Sequence, residues 1–345
     1  MAETGERDET NGTGAAGRIL IVGAGMAGLT LARTLADAGA AVTVAEKSRG
    51  IGGRMASRRT DHGTFDHGAQ YVTGKSPPFR ALLTGLSHDG TVGFWKPAGR
   101  DRPIEWHVGL PAMSKMLAPM LGGFDLRLRT AATAIERDGD GLVATLGEGA
   151  DAATERFDRV LVTAPSPQAR AMLEHLGAPF DRLSEPSYAP CWTLMLAFAR
   201  RIEATADLYR SDPGDPTPIG WAARNSSKPQ REGEADLWIV NGTPAWSHEH
   251  LERTPEEIAP VLAEAFGELI ASGEIDGKAV GRPPEPIHAA AHRWRYSLVE
   301  RPLGETHLLS DDGRIGACGD WCLAGRVEAA FESARALADA IKERL

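Results

Sequence analysis

Residues Arg18 to Gly28 read RILIVGAGMAG and place a run of aliphatic side chains directly before a glycine-rich turn. The aliphatic run is typical of a buried parallel strand, and the GxGxxG spacing is typical of a turn into a helix. Its first glycine permits the tight turn, the second lets the backbone approach a pyrophosphate, and the third lets the helix pack on the strand. The free N–H groups of the helix N-terminus then face phosphates. The predicted contacts in this turn are Gly23, Ala24, Gly25, Met26, Ala27 and Gly28.

An acidic residue at the end of the next predicted strand extends this pattern. A helix over Met26 to Ala38 leads to a strand over Ala41 to Ala45, and Glu46 follows, 18 residues beyond Gly28. In a dinucleotide-binding βαβ unit, a carboxylate at this place accepts hydrogen bonds from the adenosine ribose. A glutamate there also disfavours a 2′-phosphate, so the bound dinucleotide is predicted to lack one.

The composition excludes several classes of protein. The chain has 345 residues, enough for about two domains, and its net charge of −9 is spread along the sequence, unlike a nucleic-acid-binding surface. No apolar run approaches the roughly 18–20 residues of a membrane span. Residues 1–17 lack the features of a signal peptide and are predicted to form a disordered lead-in. The sparse cysteines Cys191, Cys318 and Cys322 suit a reducing cytoplasm, without disulfides or a metal site.

A second glycine-rich loop distinguishes a flavoprotein from a nicotinamide dehydrogenase. Residues Lys47 to Arg59 read KSRGIGGRMASRR, where a simple dehydrogenase continues into its next helix, and TFDHGAQY follows from Thr64. An arginine flanked by glycines, here Arg54, can neutralise a pyrophosphate with two parallel hydrogen bonds. We therefore predict a phosphate or flavin contact for Arg54, and a solvated basic face for Arg58 and Arg59.

The remaining pattern alternates between short strands and helices. The alternating residues 124–129 and 142–146 predict a hairpin, with a turn at 138–141. Five of the eight tryptophans lie between residues 185 and 294, as expected of an apolar pocket over a flat ring. The other predicted elements are helices at 79–86, 109–121, 168–176 and 256–270, and strands at 157–163, 191–199, 237–240 and 287–294.

The C-terminal segment offers a second helix N-terminus. Residues Arg314 to Asp320 read RIGACGD and predict a short strand that ends in Gly319 and Asp320, and a final helix begins near Val327. Asp320 can accept a hydrogen bond from a ribityl hydroxyl, and the amides near Val327 can face the flavin N1/C2=O edge, where negative charge builds on reduction. Together with the second glycine-rich loop, this segment favours FAD over NAD as the bound dinucleotide.

Several motifs resemble one known group. VGAGMAGL, GIGGRMASRR, FDHGAQY, GLPAMS, AHRWRYS and GDWCLAGRVEAAFESA are similar to bacterial renalase-type proteins of the flavin-containing amine oxidase superfamily. The match is weakest at 76–102 and 200–231. It implies an α/β, two-domain fold like that of p-hydroxybenzoate hydroxylase, with a Rossmann-type FAD domain and a mixed β-sheet substrate domain. It also implies non-covalent FAD, hydride transfer from 2- or 6-dihydro-NAD(P) to flavin N5, and reoxidation by O2 to give β-NAD(P)+ and H2O2.

The resemblance further implies a division of the chain and a set of site residues. The FAD domain comprises 18–75, 107–184 and 305–345, and the substrate domain comprises 76–106 and 185–304. Beyond the first glycine turn, the implied FAD contacts are Glu46, Lys47, Gly53, Arg54, Met55, Ala69, Gln70, Gly319, Asp320, Arg326 and Val327. The implied pocket candidates are His67, Tyr71, Trp246, His248, Trp294 and Tyr296.

No catalytic base stands out, and oxidation of a dihydronicotinamide needs none, because loss of hydride gives an aromatic cation directly. His67, His248 and His292 are therefore interpreted as hydrogen-bonded structural residues, and catalysis as stacking of the nicotinamide on the flavin.

Three competing hypotheses share the fold. The first is an amine oxidase, although none of the seven lysines lies in a segment resembling the lysine of those enzymes. The second is a biosynthetic oxidoreductase, such as a carotenoid-desaturase-like enzyme, for whose isoprenoid tunnel the chain is too short. The third is a binding protein that holds no flavin, which the intact glycine turn, Glu46 and the Gly-Asp motif disfavour.

Overall fold

The computed structural model describes residues 17–99, 106–204, 206–212, 214–231, 233–275 and 281–345. The lead-in predicted over residues 1–17 lies outside these ranges except for its last residue, as do short parts of the predicted substrate domain. The described α-helices are α1 (Met26–Asp37), α2 (Pro77–His88), α3 (Ser166–Leu173), α4 (Pro244–Glu249), α5 (Pro255–Ser272) and α6 (Val327–Lys342). The described strands are β1 (Arg18–Val22), β2 (Ala41–Glu46), β3 (Arg58–Thr60), β4 (Gly63–Phe65), β5 (Val92–Trp95), β6 (Trp106–Gly109), β7 (Asp125–Leu128), β8 (Ala132–Asp138), β9 (Gly141–Leu146), β10 (Ala153–Phe157), β11 (Arg159–Val162), β12 (Ser187–Phe198), β13 (Leu208–Arg210), β14 (Ile219–Arg224), β15 (Asp236–Gly242), β16 (His288–Arg301), β17 (Leu308–Leu309) and β18 (Ile315–Ala317).

The first sheet contains six strands in the order β17-β18-β11-β1-β2-β7. Strand β1 is central and runs parallel to both neighbours, with Ile21 opposite Val44 of β2 and Leu161 of β11. Ile19, Leu20 and Ile21 are fully buried, as a parallel strand covered on both faces requires. Helices α1 and α6 pack in the core on the face that carries Ile19 and Ile21. This arrangement brings the turn after β1 and the end of β2 to the same edge of the sheet.

Strand β7 differs from the predicted hairpin. The alternation of 124–129 correctly predicts a strand, but this strand pairs in parallel with β2 and not with 142–146. The hairpin partner of β9 is instead β8, and the two strands are joined at the predicted turn between Asp138 and Gly141. In β8 only Ile135 is buried, so the strand lacks the apolar alternation by which a strand is recognised in a sequence.

Two segments between the sheets also differ from expectation. The predicted helix over 109–121 is a 3₁₀ helix over Met113–Met120 that contains Pro119, a residue without the backbone N–H that an α-helix needs. Helix α2 falls in the predicted substrate domain, yet its Phe79 is fully buried 5.3 Å from the ring of Phe331 on α6. It therefore shares a core with β1 and α1, and the division of the remaining chain stays a prediction.

The second sheet has strands in the order β13-β14-β15-β12-β16, and all of its pairs are antiparallel. Its two faces have different neighbours. On one face, Trp192, Leu194 and Leu196 of β12 pack against α5. On the other face, Met195 packs with Phe65 of β4. This second face is therefore turned toward the segment between β2 and α2, which carries β4. Because side chains alternate along a strand, each residue of β12 is assigned to one face or the other.

Candidate functional site

The turn between β1 and α1 accepts only glycine at two of its positions. Gly23 has a φ of +105°, which L side chains rarely adopt, and its amide donates to the carbonyl of Ala45 at 2.8 Å. A Cβ on Gly28 would lie 1.8 Å from the carbonyl oxygen of Gly23. The third glycine of the motif therefore lets α1 begin in direct contact with the turn, as the sequence predicts.

The N-terminus of α1 has no side-chain cap. Its N-cap residue is Gly25, and the amides of Met26, Ala27 and Gly28 donate to no acceptor among the described residues. The N-cap of α6, Arg326, likewise makes no side-chain cap, and the amide of Val327 has no described acceptor. Both helices thus present free N–H groups and the positive end of a helix dipole, which are the features that bind phosphates and other anionic groups.

Glu46 lies at the end of β2 with its carboxylate oriented by two backbone amides. Its Oε2 accepts from Ala24 N at 2.8 Å, its Oε1 accepts from Ser48 N at 2.8 Å, and the residue is 6% exposed. Each carboxylate oxygen keeps further acceptor capacity, which the predicted contact with ribose hydroxyls requires. A cavity of about 460 Å³ adjoins this position and is lined in part by Lys47, Arg129 and Leu146.

The second glycine-rich loop packs directly on the first. Gly52 donates its amide to Ala24 O at 2.9 Å and has a φ of +121°, and a Cβ on Gly53 would lie 3.6 Å from Gly25 Cα. At the other end of this loop, Ala69 N donates to Arg54 O at 2.8 Å. The two loops together form a cradle of backbone atoms beside the helix α1 N-terminus.

Arg54 and Asp320, two predicted cofactor contacts, are ion-paired with each other. Arg54 Nη2 donates to Asp320 Oδ1 at 2.6 Å, and Arg54 Nη1 donates to Ser297 O at 3.4 Å. Burial alone would lower the pKa of Arg54, but the Asp320 charge and hydrogen bond raise it overall. The pair joins the second glycine-rich loop to the Gly-Asp segment before α6, so tertiary structure brings the two predicted contacts to one place.

These residues fit FAD. The two uncapped helix N-termini, the cradle of the two glycine-rich loops, and the Glu46 carboxylate supply the donors and acceptors that a dinucleotide needs. The predicted contacts Gly319 and Met55 are placed beside them, since Gly319 precedes Asp320 and Met55 follows Arg54 with its side chain buried.

A row of side chains crosses the second sheet on the face turned toward this cradle. Trp221 of β14 lies opposite Asn241 of β15, Asn241 opposite Thr193 of β12, and Thr193 opposite His292 of β16. Directly paired residues of antiparallel strands project from the same face, and Thr193 Oγ1 confirms this by donating to Asn241 Oδ1 at 2.9 Å. Trp294 extends the row along β16.

Two predicted pocket residues approach this row from the FDHGAQY loop. The His67 ring lies 5.2 Å from the Trp294 ring and 5.0 Å from the His292 ring, and Trp294 Nε1 donates to His67 O at 2.9 Å. The Tyr71 ring stacks on Trp106 at 3.9 Å and lies 6.0 Å from the Trp221 ring. We call this set the aromatic cluster, and its members are His67, Tyr71, Trp106, Thr193, Trp221, Asn241, His292 and Trp294.

Both histidines of the aromatic cluster are neutral near pH 7. Burial, assisted by the neighbouring His292 and Arg58, lowers the pKa of His67 to about 3. Burial also lowers the pKa of His292 to about 4, assisted by the positive charge of Arg58. Arg58 Nη2 lies 3.4 Å from His292 Nδ1, so this arginine contacts the cluster and is not part of the solvated face that the sequence predicts.

The other pocket candidates lie elsewhere. Trp246 and His248 are on α4, which packs against the opposite face of the second sheet: Ser247 Oγ accepts from Trp192 N at 3.1 Å. Trp246 stacks on His250 at 4.3 Å, and His248 is exposed. The structure therefore does not bring these two residues to the aromatic cluster. The sequence could not show this, because it does not specify which face of the sheet α4 covers.

The other two predicted contacts, Tyr296 and Gln70, interact with residues outside the aromatic cluster. The Tyr296 ring lies 5.6 Å from the ring of Tyr188, whose hydroxyl accepts from Ser166 N at 2.9 Å. The Gln70 side chain is engaged by the protein: its Nε2 donates to Asp66 O at 2.5 Å, and its Oε1 accepts from Lys228 Nζ at 3.1 Å. A flavin contact by Gln70 remains a prediction.

Sequence reasoning missed the buried charges behind the FDHGAQY loop. Asp66 accepts from Lys228 Nζ at 3.2 Å, from Arg231 Nη2 at 2.8 Å and from Met113 N at 2.9 Å. Burial alone would raise the pKa of Asp66, but the charges of Lys228 and Arg231 hold it at about 2. Asp66 is visible in the FDHGAQY motif, but no local signal indicates partners more than 150 residues away. Sequence reasoning also missed Trp221, Asn241 and Thr193, because the pattern of a short strand does not show which of its two faces lines a site.

The structure places a dinucleotide-binding cradle next to an antiparallel sheet. This arrangement is that of a flavoprotein. The chain belongs to the flavin containing amine oxidoreductase family, whose profile matches residues 90–342. A profile of the NAD(P)-binding Rossmann-like domain matches residues 21–86. The protein is thus an FAD-dependent oxidoreductase.

Two solved structures share the fold. One is described as "putative protoporphyrinogen oxidase from Exiguobacterium sp. 255-15", with a TM-score of 0.72 and 14% identity. The other is the cyclohexylamine oxidase from Brevibacterium oxydans IH-35A, with a TM-score of 0.70 and 14% identity. In both cases the match covers 95% of this chain and 99% of the other. At this identity the likeness shows the fold alone. Among the described residues, no helix has the length and apolar character that crossing a bilayer requires.

Proposed function

We propose that this protein oxidises 2- or 6-dihydro-NAD(P), isomeric dihydronicotinamide dinucleotides, to β-NAD(P)+ in a cytoplasmic setting, within a renalase-like fold of the p-hydroxybenzoate-hydroxylase type. FAD, when bound, supplies the hydride acceptor, and O2 takes the electrons onward to H2O2. The residues of the chain then have three tasks: to hold the nicotinamide flat, to exclude water around it, and to place no ammonium-binding group beside it.

The observation that carries the proposal is the neutral state of the imidazoles in the aromatic cluster. With pKa values of about 3 and about 4, His67 and His292 stay unprotonated near pH 7, but their partners and burial leave them poor bases. Oxidation of a dihydronicotinamide needs no base, because hydride loss creates an aromatic cation without removal of a proton. Neutral rings also add no repulsion to the cationic product.

Charge at the edge of the cluster supports the same substrate class. Arg58 contacts His292 at 3.4 Å, and a guanidinium at this place attracts phosphates of a dinucleotide. The carboxylate next to His67, that of Asp66, is fully buried and already neutralised by Lys228 and Arg231.

The aromatic side chains provide surfaces of the right kind. Tyr71 and Trp106 stack at 3.9 Å with planes 10° apart, and the Trp221 ring lies within 6.0 Å of both. Flat aromatic walls pack against a planar ring and stabilise a cation by their π faces. They also exclude water from the position where hydride leaves the substrate.

Oxidation of an amine is the second candidate, because the cyclohexylamine oxidase has the same fold. Amine oxidases of this fold hold a water molecule with a lysine, and Lys228 is the buried lysine of the described residues. Its ammonium is occupied by Asp66 at 3.2 Å and Gln70 at 3.1 Å, and it lies 5.3 Å above the Trp95 ring. Lys228 therefore acts as a structural ion-pair partner.

An anaerobic substrate screen tests the proposal. The purified protein is expected to be yellow, and 2- or 6-dihydro-NAD(P) is expected to bleach the flavin absorbance quickly in stopped flow. Cyclohexylamine and benzylamine serve as the comparison substrates. Bleaching by either monoamine, without bleaching by the dihydronicotinamides, would replace the proposed function by amine oxidation.

A further inference from the structure

The indole N–H of Trp221 is buried without a hydrogen-bond partner among the described residues. A buried donor that is left unpaired destabilises the fold, because it gives up its hydrogen bond to water and gains none in the protein. Native proteins keep few such groups, and each one calls for an explanation. Trp221 lies within the aromatic cluster, 5.9 Å from the Trp106 ring and 6.0 Å from the Tyr71 ring, so its unpaired donor lies among the rings of the candidate site.

A second donor stands beside it. Asn241 is directly opposite Trp221 in the β14–β15 register, and paired residues of antiparallel strands have their Cβ atoms roughly 4.5–5.5 Å apart. Thr193 Oγ1 donates to Asn241 Oδ1 at 2.9 Å. This bond orients the amide with Oδ1 toward Thr193, and Nδ2 has no acceptor among the described residues. Asn241 thus offers two N–H donors, and Thr193 is its positioning residue.

Both side chains offer hydrogen-bond donors to a ligand. Trp221 can only donate, and Asn241 has its Nδ2 donors free while one lone pair of its oxygen accepts from Thr193. A ligand group that meets both residues must therefore accept hydrogen bonds. An ammonium group, which only donates, cannot bond to Trp221 Nε1, whereas a carbonyl oxygen has two lone pairs and can accept from both side chains.

We infer that Trp221 and Asn241 form a two-donor site for the carbonyl oxygen of an aromatic carboxamide. The identification of this group as the 3-carboxamide of a dihydronicotinamide rests on the proposed function. The aromatic ring of the ligand lies among the rings of the aromatic cluster while the carboxamide oxygen bonds to Trp221 Nε1 and Asn241 Nδ2. Recognition of a carbonyl by a site built to hydrogen-bond it discriminates strongly against ligands that lack it.

Binding of simple probes to the FAD-loaded enzyme tests this site without turnover. Benzamide and thiobenzamide differ by one atom, and the thiocarbonyl sulfur is the weaker acceptor. Their Kd values are measured from the perturbation of the flavin absorbance spectrum. We expect Trp221→Phe, which keeps an aromatic ring and removes the N–H, to weaken benzamide binding about tenfold, the equivalent of ~1.4 kcal/mol. Thiobenzamide binding should change less than threefold.

Two further variants sharpen the result. Asn241→Asp keeps the shape of the side chain but replaces the donors by an acceptor, and it should weaken benzamide at least as much as Trp221→Phe. Trp192→Phe is the matched control, because Trp192 lies on the opposite face and its Nε1 donates to His250 O at 3.0 Å. It should leave the ratio of the two Kd values unchanged.

The outcomes separate this inference from the proposed function. Unchanged benzamide Kd values in Trp221→Phe and Asn241→Asp, or no benzamide binding by the wild type, overturn the two-donor site even if dihydronicotinamides are oxidised. Selective weakening of benzamide supports the site even if the dihydronicotinamide screen fails, and it would then point to another carboxamide or carbonyl substrate.

Discussion

The ammonium of Lys228 lies 3.2 Å from the carboxylate of Asp66, and neither side chain is exposed. The same carboxylate accepts from Arg231 and from Ser57 Oγ, each at 2.8 Å. The backbone amide of Asp66 donates to Asn225 Oδ1 at 3.2 Å. These contacts fix the start of the FDHGAQY loop, which carries His67 into the aromatic cluster. The buried ion pair thus positions a site residue rather than taking part in the chemistry.

Removal of the lysine should destabilise the protein strongly. Lys228→Met removes one of the two cations paired with Asp66 and the donor to Gln70 Oε1, while Arg231 still pairs with the carboxylate, so the expected loss is about 1.5–3 kcal/mol. Urea unfolding of the FAD-loaded protein measures the loss. Arg33→Met breaks the exposed pair with Asp37 and should cost less than about 1 kcal/mol. Equal effects of the two variants would contradict a structural role for Lys228.

The stability of the protein should fall as the pH is lowered from about 6.5. The folded protein holds the pKa of His67 at about 3, whereas an unfolded histidine titrates near 6.5. Between these values the unfolded state binds more protons, so stability rises with pH and is lost on acidification. The contribution of His67 is at most about 1.4 kcal/mol per pH unit. His67→Asn should flatten the pH dependence of the unfolding free energy between pH 6.5 and 4.5, and an unaltered slope would exclude this assignment.

Gly28→Ala should disrupt the cradle, since its Cβ would lie 1.8 Å from the Gly23 carbonyl oxygen. Such a clash forces α1 away from the turn, so we expect loss of FAD from the purified protein and a lower Tm. Gly85→Ala is the control, because Gly85 is an exposed glycine of α2 with no atom within 4 Å of the added methyl. It should stabilise the helix by about 0.5–1 kcal/mol. Full retention of FAD in Gly28→Ala would refute the close packing.

Glu46→Arg should weaken FAD binding, because it replaces the acceptor for the ribose by a cation and removes the partner of Ala24 N. Loss of hydrogen bonds to a charged group costs about 1.5–3 kcal/mol, or at least tenfold in Kd. Titration of the apoprotein with FAD, followed by fluorescence quenching, measures the change. Glu148→Arg, beside the adjoining cavity, introduces the same charge without touching β2 and should have a smaller effect.

Arg58→Met should raise the KM for a dihydronicotinamide dinucleotide about tenfold, because a phosphate loses its cationic partner. The rise should be smaller at high salt, where the interaction is screened in the wild type as well. Arg59→Met provides the control, since Arg59 is the exposed neighbour in β3. If both variants have the wild-type KM, Arg58 does not contact the substrate; a lower KM for amines in Arg58→Met would favour the second candidate function.

Much of the cofactor cradle follows from local sequence. The spacing of Gly23, Gly25 and Gly28, the strand before them and Glu46 after them are all short-range features, and the structure has each element where the pattern predicts it. The sequence also predicts β12, β15, α5, β18 and α6 within a few residues, whereas β13, β14, β17 and α4 were not predicted and β16 continues beyond its predicted end. The pairing of β7 could not be predicted in this way, because alternation indicates a strand but not its neighbour.

The pocket required the tertiary structure. Trp246 and Trp221 look alike in the sequence, yet only Trp221 lies on the face of the second sheet that meets His67 and Tyr71. Alternation along a strand divides side chains between two faces, but the packing of α4, α5 and β4 decides which face becomes core and which lines a site.

The sequence alone determined the glycine turn at Arg18 to Gly28, because steric exclusion at Gly28 and a positive φ at Gly23 are demands of the local backbone. Only the tertiary structure decided the partners of the other charged site residues. Arg54 meets Asp320 across 266 residues, and Asp66 meets Lys228 across 162. Such pairs form because an unpaired buried charge is strongly destabilising. The partner can come from any part of the chain that the fold brings close, so the spacing of residues in the sequence does not predict it.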